Sequence, residues 1–262
     1  MKGLFDILLP RPIGPLFYHT GVFFFFTIHF IFVLLTLGAA FFAVLAAFGK
    51  MEDQVPAGPG DKELSMPVYF VSKSLAITFG IAALLLAVVY HSIPFATAAT
   101  LNAPFWISII ALLITAFVVL EYFDRKSQGV AVRRNAWLGV IGLAVLILVP
   151  AVFTAFVVTA ENPEKWVEIF QSGFLFSSLS VHWLVRLAHV LGAAVVVTGL
   201  VLLIHQGKNG CFTAINVLFG ALLVQVVLGI ILYMSLPSKP DTFANLFIIA
   251  GAGGAMVLAW VM

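Results

Sequence analysis

The sequence predicts an all-α polytopic membrane helix bundle of about seven transmembrane helices. Three observations predict it. Hydrophobic residues make up 63% of the 262-residue chain and charged residues only 9%, against roughly 25% charged in a soluble domain. The apolar residues fall into stretches of about 20, the length that crosses a hydrocarbon core of roughly 30 Å. Lipid-exposed backbone must satisfy its own hydrogen bonds, and stretches this long do so as helices rather than strands.

The spans are read as about 17–48, 71–93, 104–123, 135–159, 181–205, 212–236 and 243–262, all within one integral membrane domain covering 1–262. Before the first, Met1–Leu9 carries Lys2 and Asp6, and Pro10, Pro12 and Pro15 interrupt it. This does not read as a cleavable signal. Residues 49–67, with Pro56, Gly58, Pro59 and Gly60, read as a long loop. Asn102, Ala103 and Pro104 open the third span, Pro being tolerated in a first helical turn. Residues 163–178 read as an amphipathic helix lying in the interface, and Gly207–Gly210 closes the fifth span tightly.

Orientation follows the lysine and arginine distribution. On side A, the side of the N-terminus, lie Lys2, Arg11, Lys165 and Lys239. Side B has Lys50, Lys62, Lys73, Arg125, Lys126, Arg133, Arg134 and Lys208. Side B is therefore expected to be cytoplasmic, with the N-terminus outside a bacterial inner membrane and the C-terminus inside. A net charge of +2, spread along the chain, leaves no nucleic-acid footprint. The single cysteine, Cys211, excludes a disulfide framework, a thiolate zinc site and the paired cysteines that attach c-type haem.

Polar side chains at depth are costly in lipid and generally have a task. Those at depth are His29, Arg186, His189 and Gln225. His19 and His182 stand near the mouths of the first and fifth spans, and His91 ends the second. Five of the six histidines thus fall in the side-A half; His205, at the side-B end of the fifth span, reads as an interfacial residue. His29 and His189 belong to different helices at similar depth. Imidazole is a common axial ligand of haem, and helix bundles present such ligands from facing helices. Phe23 to Phe26, Phe30 and Phe32, around His29, could line a flat apolar cofactor, although Phe-rich stretches are more often lipid-facing bulk. A histidine inside a bundle can equally be a helix–helix hydrogen-bonder. Arg186, one turn before His189, can pair with a haem propionate or extend to the surface. Glu121 and Asp124, beside Arg125 and Lys126, read as an interfacial charge cluster. Gly139, Gly142, Gly192, Gly251, Gly253 and Gly254 permit close helix packing or cofactor approach.

Four segments resemble subunit I of the cytochrome bd quinol oxidase family, with a bd-like core over about 15–205 and two further helices over about 212–262. The stretch HFIFVLLTLG, running from His29 to Gly38, resembles that family's first span, whose histidine ligates a haem at the oxygen site. KSLAITFGI, from Lys73 to Ile81, resembles its second span. Asn102-Ala103-Pro104 resembles the turn into its third. VRLAH, ending on His189, resembles its fifth, whose histidine ligates a low-spin haem b. The resemblance implies two or more haems b held by His29 and His189, with His19, His91 and His182 as further ligands and Arg186 beside a propionate. It further implies a quinone or quinol substrate and electron transfer between the quinone pool and a partner outside the membrane, such as a multihaem cytochrome c or another redox subunit.

The departures from the family shape that expectation. Its third span carries two glutamates, whereas 104–120 has none, Ser108 and Ala116 being the nearest matches. The motif after its fourth span is reduced to Thr159–Pro163 (TAENP), and short connections (206–211 and 237–242) replace its long quinol-binding loop. Its last two spans and its later methionine and glutamate ligands have no counterpart. Oxygen reduction is therefore not expected. A true quinol:oxygen oxidoreductase subunit and a cofactor-free structural subunit are the alternatives, to be separated by cyanide-sensitive oxygen uptake and by the presence of a Soret band.

Overall fold

A computed structural model of the chain describes residues 15–48, 61–126, 132–172, 180–206 and 212–235. Every element among them is helical: α1 (Pro15–Ala47), α2 (Asp61–Tyr90), α3 (Ser92–Leu101), α4 (Ala103–Lys126), α5 (Val132–Glu161), a 3₁₀ turn (Pro163–Lys165), α6 (Trp166–Ser172), α7 (Val181–Gln206) and α8 (Phe212–Ser235). Six of these helices are long and apolar enough to cross a membrane, and they coincide with the first six spans read from the sequence. The span at 243–262, the loop tip at 49–60 and the turn at 207–211 lie outside the described residues, as does Cys211.

Three boundaries differ from the sequence reading. The second helix starts at Asp61 rather than near residue 71, with Pro67 inside it. Ser65, Met66 and Tyr69 are buried, so tertiary packing extends the helix through a stretch whose charges and proline read as loop. Residues 92–101 form a separate short helix, α3, which the sequence reading did not single out. Asn102 closes it, its backbone N–H and its side-chain Nδ2 both donating to Ala98 O. The interfacial segment is a 3₁₀ turn followed by a seven-residue helix ending at Ser172; the 173–178 part of the expected helix lies outside the described residues.

The central helix is α1, which packs on α2, α5 and α7; α4 lies on α5 and α8 on α7. Hence α1/α2 and α7/α8 are two antiparallel hairpins joined along α1 and α7, which run in the same direction. The joint is tight because Gly38 has no side chain: a Cβ there would collide with the carbonyl oxygen of Ala194 and with Thr198. Small residues let helix backbones approach in this way where lipid supplies no hydrophobic drive. Thr198 Oγ1 reaches the carbonyls of Leu34 and Leu35, both at 3.4 Å.

Burial is uneven along α1. Leu34, Leu37, Ala39, Ala40, Phe42, Ala43 and Ala47 are buried and form the core with Tyr69, Ala116, Leu120, Phe123, Ala136 and Leu146. Toward side A, Phe17, Phe23, Phe24, Phe26 and Ile31 of the same helix are exposed. Along α1, burial is therefore concentrated in the side-B half, while at side A the buried residues include those of α3 with its cap, α5 and α6 (Ala98, Asn102, Phe156, Thr159 and Ile169).

Candidate functional site

His29 projects from α1 onto α2. Its Nδ1 lies 2.8 Å from the carbonyl oxygen of Ala76. A carbonyl only accepts, so Nδ1 carries the proton and Nε2 keeps the lone pair. The ring fits because residue 80 is glycine: a Cβ there would stand 2.7 Å from Cε1 and 2.8 Å from Nδ1. Ala76 and Gly80 are one turn apart on α2 and together form the seat of the imidazole. Phe32 stacks on Phe79 (5.9 Å), Phe25 lies 6.3 Å from Phe79, and the Phe26 ring centroid is 6.5 Å from that of His29. Of the phenylalanines around His29, Phe25 and Phe32 pack against Phe79, while Phe23, Phe24 and Phe26 are exposed.

His189 projects from α7 onto α8 in the same manner. A Cβ on Gly229 would lie 3.4 Å from Cε1 and 4.0 Å from Nδ1. One turn before Gly229 stands Gln225, whose Nε2 donates to the His189 carbonyl oxygen at 2.8 Å. The Gln225 side chain rests over Gly192, where a Cβ would come within 2.9 Å of Oε1. Among the described residues, His189 Nδ1 and Gln225 Oε1 are both buried without a hydrogen-bond partner, a state that costs about 1–3 kcal/mol per polar atom where it persists.

The two rings diverge. His29 faces α2 and His189 faces α8, while α1 and α7 touch each other. His29 lies nine residues before Gly38, and His189 nine residues before Thr198, the residue that Gly38 meets. Both histidines therefore stand about 13 Å to the side-A side of that crossing. The depth is common to both, but the sites are separate, one in each hairpin.

The remaining histidines lie farther toward side A. His19 is ten residues up α1 from His29, about 15 Å along the axis; its backbone is helical and its side chain lies outside the described residues. His91 is exposed at the junction of α2 and α3, edge-on to Tyr90 at 4.5 Å. His182 is in the first turn of α7, about 10 Å outward from His189. Arg186 makes a 2.8 Å salt bridge to Glu161, the last residue of α5. Arg186 thus meets an exposed carboxylate at the side-A end of α5. Trp183, one turn earlier, donates to Ala151 O at 3.0 Å and ties α7 to α5. Among the described residues no three His, Cys, Asp or Glu side chains converge as for a bare metal ion.

A second polar cluster was not foreseen. Lys73 of α2 forms an ion pair with Glu121 of α4, and its ammonium lies 4.9–5.5 Å from the ring centroids of Phe70, Phe117 and Tyr69. Glu121 thus pairs across the bundle, where the sequence reading grouped it with Arg125 and Lys126. Beside it, Tyr69 is fully buried and its hydroxyl has no partner among the described residues. Thr36, Ser72 and the Tyr69 carbonyl continue the polar line, with Thr36 Oγ1 donating to Ser72 Oγ at 3.0 Å and Ser72 Oγ to Tyr69 O at 3.2 Å. With the second span read from 71, Lys73 stood at its boundary; the apolar part of α2 begins at Ser65, which sets Lys73 eight residues inside.

The fold and site define an integral membrane helix bundle with a histidine seated in each of two hairpins. No family model, no curated protein and no solved structure matches the chain.

Proposed function

We propose that this chain is a bd-like haem b membrane cytochrome subunit, with His29 and His189 each holding one haem. In this reading it moves electrons between the quinone pool and a redox partner on the outer side. The observation that carries the reading is the shared geometry of the two histidines. Each lies at the same depth, faces a glycine on the neighbouring helix, and has an acceptor or an amide one turn before that glycine. An imidazole donating from Nδ1 to a carbonyl presents Nε2 as a ligand of fixed orientation and raised basicity. His29 does this through Ala76. Haem, when bound, supplies one-electron exchange at iron.

The protein's own residues hold, orient and shield. Gly80 and Gly229 admit the rings, and Phe26 lies beside His29. His19, His91 and His182 extend the ligand series toward side A, where the outer partner docks. The quinone pool and the outer subunit rest on the resemblance of the His29, Lys73, Asn102 and His189 segments to bd subunit I. The absence of any carboxylate over 104–120 favours electron transfer over oxygen reduction. The lysine and arginine distribution supports an inner-membrane chain with its N-terminus outside and side B in the cytoplasm. A reporter inserted at 161–172 should read external, and a cytoplasmic reading would reverse the orientation.

The test is quinol-driven reduction of the purified chain in liposomes. A reduced quinone analogue should reduce the bound haem without sustained oxygen uptake. Cyanide-sensitive oxygen consumption with native partners would replace this reading with that of an oxidase.

A further inference from the structure

The Lys73–Glu121 pair lies within the membrane and is reachable from outside the bundle. α2 packs on α1 and α4 on α5. Between α2 and α4 the reach is made by side chains: the ion pair, and the Tyr69 ring edge-on to Phe117 at 6.4 Å. Toward the bundle axis this seam ends on Tyr69, which is fully buried. Toward lipid the pair stays accessible, Lys73 over 15% and Glu121 over 35% of its side chain. Val118, one turn before Glu121, is exposed. Lys73 lies eight residues inside the apolar part of α2, and Glu121 four residues inside that of α4, about 12 and 6 Å along the axes. Helical side chains lean toward the N-terminus, so the two charges approach each other between these depths.

Charges at such depth are costly and by default functional. A partner that reaches them there arrives through hydrocarbon, with an apolar body and a polar head. The ion pair engages Oε1 of Glu121. It leaves Oε2 as an acceptor and two of the three ammonium N–H bonds as donors. The complementary head therefore both accepts and donates. Phe70 and Phe117, 4.9 and 5.3 Å from Lys73 Nζ and partly exposed, offer ring faces to a flat one. Lys73 also stands three residues before Ala76, whose carbonyl seats His29, about 4.5 Å along α2.

We propose that the cleft between α2 and α4 at Lys73 and Glu121 binds the headgroup of a quinone or quinol entering from lipid in the side-B half. The proposal rests on the reading of this chain as a quinone-linked cytochrome and gives that substrate a place. Lys73 Nζ donates to a ring oxygen, and Glu121 accepts from a quinol hydroxyl. On oxidation the quinol loses two O–H protons and two electrons and becomes the quinone. The electrons pass singly to the haem held by His29, and the protons leave by way of the Glu121 carboxylate to side B. The buried Tyr69 hydroxyl takes no part.

The experiment is photolabelling of the full-length chain in lipid nanodiscs with an azido-quinone, followed by peptide mapping. Label should fall on 70–74 and 117–122. A decyl-substituted benzoquinone should displace it, and an alkanol of equal tail length should not. Lys73→Leu/Glu121→Leu, which leaves no lone charge, should cut the displaceable label at least about tenfold. Val118→Trp, whose indole covers the cleft from an exposed position, should also cut it. Ile107→Trp, exposed on the same helix eleven residues away, should not. Labelling needs no haem, so His29→Ala should label as wild type does. A failure of the haem reading and a failure of this site are thus separate outcomes. Label elsewhere on the chain, equal displacement by the alkanol, or undiminished label in either the double variant or Val118→Trp would overturn the proposal.

Discussion

In the α1/α2 hairpin a main-chain carbonyl faces the imidazole, whereas in the α7/α8 hairpin a glutamine side chain stands at the corresponding place. The glycines differ as well. Gly80 is pressed against His29, with no room for even a methyl, whereas a methyl on Gly229 would meet His189 at ordinary contact distance. A backbone acceptor cannot be mutated away and does not vary in strength, so the His29 site is rigid and fixed in its chemistry. A glutamine side chain can be exchanged by mutation, so the His189 site is the adjustable one. On the proposed reading of both histidines as haem ligands, one locked and one adjustable site would give two centres whose potentials need not be equal.

The largest effect breaks the comparison altogether. His29→Ala and His189→Ala should each remove one haem from protein that still inserts, and His205→Ala should remove none. Haem per chain after extraction is the measurement, and an unchanged count in either of the first two variants rejects that residue as a ligand.

A smaller effect sharpens it. Gly80→Ala places a methyl at 2.7–2.8 Å from the His29 ring, so the ring must swing away from Ala76, and the His29 haem should be lost or bound at a small fraction of the wild-type level. Gly229→Ala meets His189 at ordinary contact distance, and its haem should stay. Equal loss in both variants would show that the two hairpins do not differ in the way their geometry indicates.

The smallest effect concerns stability away from the histidines. Lys73→Leu strands the Glu121 carboxylate beside aromatic rings and should destabilise the bundle by about 1–3 kcal/mol. The double variant Lys73→Leu/Glu121→Leu should recover most of that loss, because it leaves no lone charge. Thermal unfolding in detergent at fixed pH would show it, and a double variant less stable than the single one would contradict it. Both His29 and His189 should keep their haems in these variants.

Much of the architecture was legible in the chain because lipid imposes a simple rule on length and polarity. Six span positions, the start of α4 after Asn102, and the depth of His29, His189 and Gln225 followed from it. The start of α2 was not, since Asp61, Lys62, Glu63 and Pro67 read as loop while Ser65 and Tyr69 are drawn into the core by packing. The facing partners were hidden for a different reason. Which side of a helix meets which neighbour depends on the crossing of α1 and α7 at Gly38, so the roles of Gly80, Gly229 and Ala76 had no local signature. The pairing of Lys73 with Glu121 spans 48 residues, and each residue alone resembles an ordinary charge at a membrane boundary.

The central claim is that each hairpin holds a haem b through its histidine. An oxidised-minus-reduced absorption spectrum of the purified chain, with extraction and identification of its haem, tests it most directly. The account predicts protohaem at two or more per chain and a b-type spectrum that loses part of its amplitude in each of His29→Ala and His189→Ala. A d-type band at the red end of the spectrum, or a properly inserted chain with no Soret absorption, would contradict it.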